Sequence, residues 1–307
     1  MRRKVLAVIS FVVLFIVLDR LIAMGISHFA IERQFDTRIL SVLNGELKSD
    51  VLIFGSSRAA RDISPSEVER LTGFTTYSLS FPGTNVDFQE TVLELVLDSG
   101  NLPTKIVLVF DDPFEVQDHS AITYRYDYLY PYIWFDSVND ILCENGKRNC
   151  VMSFVSKSYA ENLNVEEALN YFDEGKLKDE PLTKVDLKDG SMLLDFDAET
   201  FEGVGYSYKK EVYDESLESI NLSEKLKEFI SLCKEKSIDL YVVFPPLYRV
   251  STEGFVDRMK EIIGAYPKYF EYQDFIREKK FFYDMHHLNK EGAVLFSKEI
   301  AKILVSP

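Results

Sequence analysis

The chain has 307 residues, 46% of them apolar, and a formal charge of −15. The apolar fraction excludes wholesale disorder. The acidic balance excludes a nucleic-acid partner, which would need clustered Lys and Arg to meet phosphates, and it otherwise suits a soluble acidic surface.

The first feature along the chain is apolar. Met1-Arg2-Arg3-Lys4 precedes fourteen residues, 5–18, in which Ser10 is the one polar member; Asp19-Arg20 interrupts, and residues 21–26 resume the run. A helix needs about 20 apolar residues to cross a bilayer core, so Asp19-Arg20 is expected near one interface, where Arg snorkels and Asp pairs with it. The basic cluster before the run sets the N-terminus in the cytoplasm and the remainder of the chain outside. A cleaved signal peptide is the rival, since fourteen residues also suit its apolar core, although no clean small-x-small cleavage site is present after the run. The expected organisation is an anchor over 1–27, a helical connector over 28–50 and a globular domain over 51–307.

Within that domain, Val51-Leu52-Ile53-Phe54 is a short continuous apolar run closed by Gly55, the pattern of a strand buried on both faces of a parallel sheet. Ser64-Pro65-Ser66-Glu67 marks a helix start, with Ser64 as N-cap, Pro65 in the first turn and Glu67 at the capping-box position. That helix closes near Gly73. A second β-rich run covers 75–81, a helix 86–98 and a third strand 105–111. Residues 223–236 carry Leu226, Phe229, Ile230 and Cys233 on one helical face. A strand over 239–244 stops at Pro245-Pro246; beyond it come a helix over 254–266, a short strand near 270–272 and a final helix over 289–304. Alternation at these lengths predicts a doubly wound parallel α/β sheet of about five strands with helices on both faces.

Residues 113–215 break the alternation and are too long for a plain loop, so an insertion packed over the carboxyl ends of the strands is expected. Its most unusual stretch, residues 124–135, interleaves Tyr, Trp and Phe with Arg125 and Asp127. Such aromatics either stack on sugar rings or pack the insertion, and packing is the commoner use. Cys143 and Cys150 flank a turn-like segment and can form a local disulfide in an oxidising compartment, whereas Cys233 reads as a buried thiol. No C-x-x-C spacing points to zinc.

Two segments carry chemistry. Gly55-Ser56-Ser57-Arg58 sits where the first strand gives way to helix, the edge at which α/β sheets bind ligands. By itself it is also an ordinary turn and helix cap. Asp284-Met285-His286-His287-Leu288-Asn289 precedes the last helix and holds two of the chain's four histidines. A nucleophilic Ser needs a base, and the base needs a carboxylate to fix its tautomer. Asp284 supplies one locally, three residues before His287, while Asn289 reads as a helix cap. Metal ligation by Asp284 and the histidines is a weaker alternative, for want of further converging ligands.

Together these residues resemble the SGNH (GDSL-like) hydrolase and acyltransferase superfamily. Gly55-Ser56-Ser57 is similar to its first block, with Ser56 where Asp is usual, and Asp284-x-x-His287 is similar to its closing block. The resemblance implies Ser57 as nucleophile, His287 as general base and Asp284 as its orienting carboxylate; His286 departs from the three-residue spacing. It implies an oxyanion hole from the amides of Ser57 and Gly83, the latter in Ser78-Leu79-Ser80-Phe81-Pro82-Gly83. The third block's Asn is missing, since Asp111-Asp112-Pro113 stands there, and a carboxylate does not donate to an oxyanion unless protonated. Asn85 is a candidate replacement. No cofactor or metal is implied.

The first block and the N-terminal anchor resemble a branch associated with bacterial envelope glycans. An extracytoplasmic serine esterase or O-acyltransferase acting on acyl esters of a cell-surface polysaccharide is thus the expected function. The alternatives are a catalytically silent glycan-binding or scaffold protein partnering a membrane-bound acyltransferase, and a lipase or thioesterase at the membrane surface. Arg58 either meets an acidic substrate group or pairs with a neighbouring carboxylate.

Overall fold

The computed structural model describes residues 2–32, 36–110, 112–160, 184–195, 209–248 and 250–306. These form two compact units, Met1–Leu40 with Tyr126–Lys178, and Ser41–Arg125 with Asp179–Pro307. Within the expected insertion, the segment from Tyr126 groups with the N-terminal helix.

In the first unit, α1 runs over Arg2–Glu32, beyond the expected end at residue 27. Its portion Arg2–Ile26 is long and apolar enough to cross a membrane. The side chains of Val5, Leu6, Phe11, Leu14 and Ile22 face outward, as those of a soluble core helix would not. A short helix, α2, covers Arg38–Leu43 at the junction with the second unit.

The second unit opens with β1, Val51–Phe54, all four residues buried. Then come α3 over Ser57–Asp62, α4 over Pro65–Thr72, β2 over Thr76–Ser78, α5 over Val86–Asp98 and β3 over Lys105–Val109. Ser64 accepts from the Glu67 N–H and Gly73 closes α4 in the left-handed conformation, both as expected. The Glu67 carboxylate does not complete the capping box; it pairs with Arg70 at 2.7 Å. Back in the first unit, α6 covers Asp136–Glu144, α7 Cys150–Val155 and α8 Lys157–Ala160. Cys143 and Cys150 are joined as a disulfide with Cα atoms 5.5 Å apart.

The remaining elements return to the second unit: β4 over Lys209–Val212, α9 over Ile220–Glu235, β5 over Asp239–Phe244, β6 over Val250–Glu253, α10 over Phe255–Ile263, β7 over Lys268–Glu271 and α11 over Lys290–Val305. The main sheet is five-stranded and parallel in the order β2-β1-β3-β5-β7, with Ile53 opposite Ser78 and Val107, and Val107 opposite Tyr241. Strands β4 and β6 form a separate parallel pair that the alternation of the sequence does not announce.

Because side chains alternate along a strand, one face of the sheet presents Val51, Ile53, Val107, Val109, Tyr241 and Val243. These pack with Ile63, Val68, Phe296, Ile300 and Ile303 from the α3–α4 and α11 side. On the other face Phe54 meets Phe229 of α9 edge to face, ring centroids 5.4 Å apart, and α9 packs on α5. Each fully buried Val, Ile or Phe stabilises the fold by about 1.5–3 kcal/mol. Cys233 lies in this layer, and burial pushes its thiol up to about 12. The order of strands reverses between β1 and β3, so a crevice opens beyond their carboxyl ends.

Candidate active site

The crevice is filled from two ends of the sequence. Ser56 and Ser57 leave β1 after Gly55, whose φ of +146° suits glycine; a Cβ there would lie 2.6 Å from that of Ala59 and 2.8 Å from the Val109 carbonyl oxygen. The chain therefore turns sharply and starts α3 at Ser57 itself. From the far end of the sequence, the loop before α11 brings Asp284 and His287. The Leu288 N–H donates to Asp62 Oδ1 at 2.8 Å and the Tyr283 N–H to the His287 carbonyl at 2.9 Å. Asn289 caps α11, as expected, accepting from the Gly292 N–H at 3.0 Å.

These anchors place the three residues in one hydrogen-bonded line. Ser57 Oγ is 2.9 Å from His287 Nε2, and His287 Nδ1 is 2.9 Å from Asp284 Oδ2. The tautomer is set by the partners. Nδ1 faces a carboxylate and so carries the proton, whereas Nε2 also faces Arg61 Nη1, a donor at 3.1 Å, and so accepts. The Ser57 hydroxyl then donates to Nε2, the ground state of a Ser-His-Asp relay. His286 meets Arg58 instead, its ring Nδ1 3.5 Å from Nη2 and its carbonyl accepting from Nε at 2.8 Å, and His287 is the histidine bonded to Ser57.

Electrostatics support that protonation state. Burial alone pushes the Asp284 carboxyl up, but the His287 ring and the N–H groups of His286 and His287, both at 2.7 Å, outweigh it and hold Asp284 well below the usual carboxylate range. The His287 pKa lies below its ordinary value because the ring is buried and because the Arg61 and Arg58 guanidinium groups oppose a second charge; Asp284 offsets these only in part. The base is thus kept neutral and ready to accept a proton.

Around Ser57 opens a cavity of about 280 Å³, lined by Ser56, Arg58, Arg61, Gly83, Asp112, Ala121, Ile122 and both histidines. Gly83 adopts φ +75°, and its N–H donates to Ser56 Oγ at 3.2 Å, so the amide assigned to an oxyanion hole points into this space. Asn85 does not line it. Its side-chain oxygen accepts from the Phe88 N–H at 3.2 Å as the N-cap of α5. Asp112 does line the cavity, but its carboxylate accepts from the Phe114 N–H at 2.9 Å and caps the short turn Pro113–Glu115. A second cavity of about 320 Å³ shares Arg58, Asp112 and His286 with the first and is walled by Phe114, Gln117, Tyr213, Phe255 and Gln273.

Sequence reasoning missed Arg61 and Asp62, because it did not extend a helix through residues 57–62. A helix there sets Arg61, by its i,i+4 spacing, on the same face as Ser57. In the aromatic stretch Tyr132 is buried and the other rings are half-buried. Tyr124 meets Phe88 edge to face at 5.4 Å, while Leu129, Tyr132 and Ile133 are buried in the first unit. Compared with known proteins, the chain matches no family model, no curated protein and no solved structure.

Proposed function

We propose that the chain is a serine esterase or O-acyltransferase of SGNH type that acts on acyl esters, acetyl above all, of a cell-surface polysaccharide. The observation that carries this reading is the unbroken line from Ser57 Oγ through His287 to Asp284. Ser57 Oγ attacks the ester carbonyl carbon as its proton passes to His287 Nε2, and the backbone N–H of Gly83 faces the developing oxyanion. The imidazolium returns that proton to the leaving alcohol, releasing it and leaving acyl-Ser57. Water or a sugar hydroxyl then attacks the acyl carbon, giving its proton to His287, which returns it to Ser57 Oγ. Hydrolysis and transfer differ only in that second nucleophile. The adjoining cavity, with its aromatic and amide walls, has room for the glycan.

An extracytoplasmic location accords with this reading. The basic cluster before the apolar run of α1 favours a cytoplasmic N-terminus, and the disulfide between Cys143 and Cys150 suits an oxidising compartment. A silent scaffold for a membrane acyltransferase is favoured by two observations: Ser56 Oγ occupies the Gly83 N–H, and Asp112 stands where a donor is expected.

The test is fluorophosphonate labelling of the full chain in detergent, read by intact mass and peptide mapping. A single adduct on Ser57, absent from Ser57→Ala, supports an activated serine; acetylated sugars then serve as substrates. No adduct on folded protein turns the reading to the scaffold.

A further inference from the structure

Asp19 lies inside the apolar stretch of α1, yet it is 5% exposed and densely bonded. Its carboxylate accepts from Ser156 Oγ at 2.5 Å, the Lys157 N–H at 2.8 Å, and the Ser158 N–H and Oγ at 3.1 and 2.6 Å. It also pairs with Arg20 at 2.7 Å. One helical turn on, the small side chain of Ala23 is fully buried, and α1 packs on α8. If an apolar layer about 30 Å thick is laid along α1 from Val5, at 1.5 Å per residue it reaches Met24, and Asp19 sits about 7 Å inside the boundary. A bare carboxylate at that depth is costly. The donors that offset the cost come from residues 156–158, so those residues share its depth.

The helix just before them, α7, turns a bare apolar face outward. Val151, Met152 and Val155, which lie within one arc of the helix, are 73%, 43% and 57% exposed. Tyr159 beyond them is also exposed, as is common where a chain meets headgroups. We infer that residues 150–159 form a second membrane-contacting element, seated beside α1 in the same leaflet as Asp19, with Val151, Met152 and Val155 against acyl chains. The occupant of that face is lipid, because α1 exposes a long apolar surface of its own and Asp19 ties the residues that directly follow α7 to it. The first unit is then held to the bilayer at two places rather than one. The inference rests on the reading of α1 as a membrane span.

Both are separable in one experiment. The full chain is reconstituted in phosphatidylcholine vesicles with an environment-sensitive fluorophore on Val155→Cys or, separately, Val12→Cys; unsubstituted protein reports background labelling. Quenching by nitroxide-bearing lipid is compared with quenching by aqueous iodide. The expected result is a blue-shifted emission at both positions, lost to the lipid quencher and retained against iodide. Lipid quenching at Val12 with iodide quenching at Val155 overturns the inference and leaves the span standing. Iodide quenching at Val12 removes the span, and the inference with it.

Discussion

Asp284, half-buried, and Glu90, fully buried, are carboxylates of the sheet-bearing unit, and desolvation pushes each of them up. They end on opposite sides of the ordinary range. Asp284 collects two backbone N–H groups and the His287 ring within 3.1 Å and stays ionised at low pH. Glu90, 2% exposed in the α5–α9 layer, has Lys225 at 3.4 Å, while Glu94 adds repulsion, and its pKa is raised to about 7. Desolvation has one sign; the donors decide the outcome. The carboxylate assigned to steady an imidazolium in the proposed reaction is surrounded by donors, and the one that joins two helices is not.

The largest effect is expected from removing the charge at the first of these sites. In Asp284→Asn the side-chain amide no longer demands a proton on His287 Nδ1, so the wrong tautomer faces Ser57. Turnover of an acetyl ester should fall by about 10,000-fold, with KM little changed. Single and combined substitutions of Ser57, Asp284 and His287 should cost about the same. Losses that add would break the comparison, since Asp284 would then be a loop brace and nothing more.

Arg61 sharpens it from the other partner. Below its pKa the His287 ring is protonated and cannot serve as base, so activity is lost as pH falls through that value. Burial, Arg61 and Arg58 set it below the ordinary value of about 6.5. Arg61→Gln removes one opposing charge, and the acid limb of kcat/KM should move to higher pH, with a few-fold loss at mildly acidic pH and little at pH 8. Arg61→Lys, which keeps the charge, should leave the limb near its wild-type position. If both variants lower activity equally at every pH, Arg61 serves packing alone.

These sites differ in how far the sequence reveals them. Asp284 and His287 are three residues apart before a capped helix, so their contact is a local matter that spacing can convey. The strand before Gly55 and the helix caps at Ser64 and Asn289 are legible for the same reason, and they fix where Ser57 and His287 sit. Asp112-Pro113-Phe114-Glu115 reads as a broken donor block, although Asp and Glu three residues apart around a proline are also a capping pair, the use the fold makes of them. Asn85 carries a double signal of the same kind, since it is also the N-cap of α5. Arg61 and Ser56 depend on contacts with residues 226 and 27 positions away, and no local pattern carries those. The β4–β6 pair rests on a long-range register of the same kind.

The smallest effect tests the Glu90 half. The unfolded chain holds Glu90 near its ordinary value of about 4.3, whereas the folded chain holds it at about 7. Folding therefore takes up a proton between those limits. The stability associated with the neutral form is complete below the unfolded value and is lost as pH rises through the folded one. Glu90→Gln keeps the shape and stays neutral, so its Tm should match wild type near pH 4 and rise above it, by a few degrees at most, past pH 7. Turnover should be unchanged, because Glu90 lies in the α5–α9 layer and not among the residues lining the Ser57 cavity. A Tm difference that is the same at every pH would mean that Lys225 keeps Glu90 ionised, and that one ammonium at 3.4 Å does for Glu90 what three donors do for Asp284.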